Sequence, residues 1–215
     1  MAKIKQGILG GFSGKVANVV GTSWKGRAVM KSQPLSVANP KTEAQQEQRG
    51  KFSKIAELAS AVLTQFIQQV ENPISGDISG YNLFCKDNKG AFDASGNLVV
   101  ANCVCGGGKI INVESPSVSA SVASQHVELQ WTNGADISAL RLTDKIFAFA
   151  AKEDGSVILM SEGGDVRSDE GITMDVFVKG ASFAASDKFV VFFAAVSADG
   201  REVSVKTTAK SATAA

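Results

Sequence analysis

The sequence predicts an α+β fold that is mainly β: an extended basic N-terminal arm, one long helix, and a C-terminal β-sandwich of the immunoglobulin or fibronectin type III kind. Three observations predict it. Residues 1–41 carry seven basic side chains and no acidic one, the first carboxylate being Glu43. A helical period of apolar residues then runs between Asn39-Pro40 and Asn72-Pro73, and from Val113 onward the pattern changes to short alternating segments separated by turn residues.

The chain is long and apolar enough, at 215 residues and 44% hydrophobic, to bury one sizeable core or two modest ones. Its net charge of +1 hides a split: residues 1–54 hold ten basic and two acidic side chains, residues 55–215 twelve basic and nineteen acidic. The expected organisation is an arm over 1–38, a helical region with short strand and turn segments over 39–112, a sandwich over 113–210 able to fold alone, and a frayed tail over 211–215.

In the arm, Gly7, Gly10, Gly11, Gly14, Gly21 and Gly26 make the backbone permissive, while Val16, Val20, Trp24 and Met30 make it too apolar for a plain linker. As one extended strand it would place those four residues at one parity and Lys15, Lys25, Arg27 and Lys31 at the other, giving an apolar face opposite a basic one. A hairpin turning near Trp24-Lys25-Gly26, or an edge strand added to another subunit's sheet, are the two conformations expected. These eight residues are the candidate partner-binding set, with Trp24 as the anchor.

Asn39 can cap a helix and Pro40 suits its first position. Phe52, Ile55, Ala59, Val62, Phe66 and Val70 then follow helical spacing, and Asn72-Pro73 stops it. The opening turns, KTEAQQEQRGK, are polar on every side and should project. Tyr81, Leu83 and Phe84 predict a short helix or turn, and 98–104 a strand. The sandwich strands are expected at 118–123, 127–132, 145–152, 157–161, 172–178, 188–197 and 202–207, with Asp199-Gly200 as the strongest hairpin turn and Trp131 as a core anchor.

Reaction chemistry is not legible. His126 is the one histidine, which removes a Ser-His-Asp or Cys-His arrangement and a multi-histidine metal site within one subunit. Around Lys15, GGFSGKV lacks the first glycine and the Ser/Thr of a phosphate-binding loop. Asp165, Asp169 and Glu170 match no ordered calcium spacing. Gly106-Gly107-Gly108 is expected to be a hinge, and Cys85, Cys103 and Cys105 to be reduced and buried. No catalytic residue, metal or cofactor is expected. Gly10, Gly11 and Ser13 interrupt the apolar run of a secretory signal and no window reaches membrane-spanning length, so synthesis in the cytoplasm without membrane association is expected.

The segments GILGGFSGKVANVVGTSWKG, NPKTEAQQEQRGKFSK, SGYNLF and VSADGREVS resemble a family of unknown function common in Bacteroidota, across nearly the whole chain; that resemblance implies no activity and no site residues. The NPKTEAQQEQR helix start is also similar to stretches of phage structural proteins. Together these features lead us to expect a non-enzymatic structural protein, most plausibly a virion component of a phage or prophage (head decoration, fibre or tail element). It would dock through its arm on other copies of itself or on another structural protein. The alternative is a nucleic-acid-binding protein using the basic arm.

Overall fold

The computed structural model describes residues 3–4, 11–24, 27–36, 38–133, 138, 141–161, 165–176 and 182–215. The chain forms two compact units, Met1–Thr42 and Glu43–Ala215. The fold is α+β and mainly β, as the sequence predicts.

In the first unit the chain folds back on itself as an antiparallel meander of β1 (Lys3–Ile4), β2 (Phe12–Val16), β3 (Val19–Trp24) and β4 (Arg27–Ser32), neighbours in that order. Val16 pairs with Val19 across the two-residue turn Ala17-Asn18, where Ala17 takes a left-handed φ of 47°. Trp24 pairs with Arg27 across the next connection. Of the conformations expected for the arm, the hairpin is realised, and twice.

The second unit opens with α1 (Glu43–Ala61), a π-helical turn (Leu63–Ile67) and α2 (Gln68–Val70). The helix whose start the sequence places at Asn39-Pro40 begins at Glu43 and changes period at Val62, whose carbonyl accepts from both Phe66 and Ile67. The extra residue of the π turn brings Val62, Phe66, Ile67 and Val70 all into the core. Residues 43–50 are exposed on every side, as their composition demands. Phe52, expected on the core face, is 56% exposed, so burial begins one turn later at Ile55. After the turn at Asn72-Pro73, α3 (Gly80–Asp87) is capped by Ser79, whose hydroxyl accepts from the Asn82 amide, and packs on α1, with Tyr81 donating to the Ala56 carbonyl.

β5 (Val104–Cys105) precedes the large sheet, which contains β6 (Glu114–Ser121), β7 (His126–Thr132), β8 (Lys145–Lys152), β9 (Ile158–Met160), β10 (Gly171–Val176) and β11 (Lys188–Val196). β12 (Thr207–Thr208) pairs with β5, and β13 (Lys210–Thr213) completes the order β13-β11-β8-β9-β10-β7-β6. Strands one, two and five of this set thus lie on one side, and three, six and seven on the other, as in the sandwich the sequence suggests. The short fourth strand, β9, bonds to both β8 and β10 and stitches the two layers into one sheet. At the opposite margin β13 meets β6 through an Ala120–Ala214 bridge, so the sheet nearly closes on itself.

Two expectations fail at the C-terminus. The seventh strand is not at 202–207: within that span only Val203 and Ser204 pair back onto β11. The chain then leaves the sheet to run beside Gly106-Gly107-Gly108, where the Ser204 carbonyl accepts from Gly107 and Gly108 and the Val203 carbonyl from Lys109. A Cβ on Gly108 would strike the Val203 carbonyl, so the three glycines are a close crossing of two backbones rather than a hinge. The tail expected to fray is β13 itself, paired with Lys188–Val191 and burying Ala212 and Ala214.

The core has two layers sharing β8 and β11. Inside the sheet, Ile146, Ala148, Phe189, Val191 and Phe193 pack with Leu129 and Trp131. On its outer face, Phe149 and Phe192 stack at 4.5 Å, and Phe66 from the π turn meets Phe149 edge-on at 4.8 Å. β11 therefore reads FVVFFAAV without alternation because it is buried on both faces. Helices and strands share one cluster, so a fragment starting at Val113 would expose Phe149 and Phe192.

Candidate interaction surface

The N-terminal sheet is where the chemistry of the sequence and an unfilled packing requirement coincide. Cross-strand partners lie on one face of a sheet, so the register sorts the residues. One face carries Phe12, Val16, Val19, Gly21, Ala28 and Met30 and no charge. The other carries Lys15, Arg27 and Lys31, with Val20 and Val29 between them. Lys15, Val20 and Lys31 form one row across three strands.

This corrects the face expected for a single extended strand. A two-residue turn pairs residue i with i+3, and so reverses parity on crossing it. Met30 and Val16 therefore stay together opposite the cations, while Val20 changes sides and stands between Lys15 and Lys31. Trp24, at its pairing with Arg27, occupies a register position on the cationic face. Lys25 lies outside the described residues. Val19, which the parity of a single strand sets with the cations, belongs to the uncharged face beside Val16; a turn signal at Ala17-Asn18 would have found it.

Neither face is filled. Val16 is 52% and Met30 70% exposed, and every residue of β4 is exposed. Gly21 alone is buried among the unit's residues with described burial, because the Phe12 ring lies over it where a Cβ would collide. A sheet of this size needs a layer against its apolar face to be stable, and the described residues of its own unit supply none.

Elsewhere, the buried polar groups are structural. Arg167, 1% exposed, donates to the Ile111 and Asn112 carbonyls and lies 3.7 Å from Asp144, while its own carbonyl accepts from the Trp131 indole at 3.0 Å. Burial pushes the Asp144 carboxyl up against the opposing pull of Arg141 and Arg167. The Glu71 carboxyl is 2% exposed and accepts from the Gly106 amide at 3.1 Å, its second oxygen lacking a partner; burial pushes it up to about 7. All three cysteines are buried and unpaired, and burial holds Cys103 at about 12, far from thiolate reactivity. His126 lies 3.2 Å from Glu128 on the outer face of β7. Asp169 accepts from the Val166 amide, and among the described residues no group of three or more His, Cys, Asp or Glu is placed to hold a metal ion. No described helix is long and apolar enough to cross a membrane.

A family model, described as a family of unknown function (DUF6266), matches residues 11–208. None of the curated proteins matches the chain.

Proposed function

Since the chain belongs to this family of unknown function, its role is read from its own geometry, and we propose that it is a non-enzymatic assembly protein that docks through its N-terminal sheet and presents the Glu43–Ala215 body. One observation carries this reading: a four-stranded sheet with an uncharged face on which Val16, Val19 and Met30 stay exposed. Covering such a face releases roughly 25 cal/mol per Å² of apolar surface, which an isolated sheet forgoes. The body, by contrast, is self-sufficient, because both core clusters draw only on residues from Ile55 to Ala214. A virion of a phage or prophage is the setting we propose, on the likeness of the α1 start to phage structural proteins.

Sedimentation of the full chain and of residues 43–215 tests the reading. The full chain should associate and the shortened one should remain a folded monomer. The same oligomer from both would overturn it.

A further inference from the structure

Charge indicates what meets the sheet. The Met1–Thr42 unit holds seven basic residues and no carboxylate, so it cannot neutralise itself, and pairing two such units through their cationic faces sets like charge against like. Glu43–Ala215 holds twenty-one acidic and fifteen basic residues, so the countercharge is present in the same chain.

It is also concentrated. In the β6-β7-β10 part of the large sheet, Val127, Leu129, Ile172 and Met174 point into the core, so the alternate residues point outward. Those outward positions include Ser117, Ser119, Gln130 and Thr173, together with Glu128 and Asp175, and none is lysine or arginine. Among the described residues of these three strands, His126, beside Glu128, is the one basic group, and the exposed carboxylates of Glu114 and Glu170 stand at the Gln130 end. The aromatic contacts that seat the helices fall on β8 and β11, leaving this face bare.

We propose that the cationic face of one copy's N-terminal sheet packs on this acidic sheet face of a second copy, a head-to-tail contact that rests on the docking role of that sheet. Two sheets packed face to face stand about 10 Å apart, within reach of lysine against carboxylate. Lys15 and Lys31 are two strand spacings apart, about 10 Å, across Val20. Glu128 and Asp175 are diagonal neighbours, about 7–8 Å apart. Because the two surfaces differ, the contact repeats from copy to copy and builds a ring or a filament rather than a closed dimer.

A charge swap in the full-length protein tests it, read by sedimentation over a concentration series at about 0.1 M salt, where charges act over about 10 Å. Lys15→Glu with Lys31→Glu, and separately Glu128→Lys with Asp175→Lys, should each weaken self-association about tenfold or more. Mixing the two double variants should restore it, as should combining all four substitutions in one chain. If the lysine variant loses association but neither the mixture nor the fourfold variant regains it, the acidic face is not the partner, while docking through the sheet stands. If neither double variant changes the association, the cationic face is not the contact and this proposal fails, while docking through the uncharged face stands. A wild-type chain that stays monomeric yet retards a short DNA duplex through Lys15 and Lys31 overturns the proposal in favour of nucleic acid.

Discussion

Glu71 is a carboxylate held where its charge is disfavoured, 2% exposed. It sits at the end of α2 with one oxygen on the Gly106 amide, and burial holds its carboxyl near 7. The sign of its effect is set by linkage. Below the ordinary carboxylate value of about 4.3, Glu71 is protonated folded or unfolded and costs nothing. From there to pH 7 the unfolded chain ionises first and stability falls; above 7 the full cost, about 3 kcal/mol, is present. Urea titrations at pH 5 and pH 8 should show that loss in the wild type and a much smaller one in Glu71→Gln, which keeps an acceptor for Gly106. Equal pH dependence in the two proteins would refute the assignment. Nothing at sequence level marks Glu71, because its burial is made by the Gly106 turn, 35 residues further along the chain.

At the scale of elements, β13 shows how a weak local signal is overridden. The segment KSATAA is short and rich in alanine, with Thr213 its one β-branched residue, so the sequence reads as a tail. The open edge of β11 makes it a strand: Phe189 and Val191 pair with Ala212 and Lys210, and Ala212 and Ala214 are buried in the sheet interior. Deleting residues 210–215 should therefore lower the melting temperature by about 10 °C or more, corresponding to roughly 3 kcal/mol lost in a unit of this size. Circular dichroism melts check it; an unchanged transition would return the segment to a frayed end. β8, in contrast, is legible to the residue, since Lys145–Lys152 is bounded by turns and carries its own strand signal.

For the whole molecule, the sharing of β8 and β11 between two layers decides how it unfolds. Phe149 and Phe192 hold the helices while Ile146, Phe189 and Phe193 hold the sheet interior, so neither layer can lose its packing without baring the other. Calorimetry of residues 43–215 should give a single transition with equal calorimetric and van't Hoff enthalpies. Two resolved transitions would mean that helices and sandwich are separate domains after all. The separation of charge between the two units works at the same scale, because it concerns copies of the chain meeting one another rather than any local contact.

The sequence by itself determined the class, the mainly β content, most strand positions and the one-sided charge of the N-terminal segment, since these come from period, turn chemistry and counting. Tertiary structure decided which faces those elements present. Each two-residue turn reverses the parity of the strand after it, so Val20 moved among the lysines while Val16 and Met30 stayed opposite them. The partner of a strand edge is equally non-local: residues 202–207 and 210–213 both lie within reach of β11, and the crossing at Gly106-Gly107-Gly108 drew the first away and left the edge to the second.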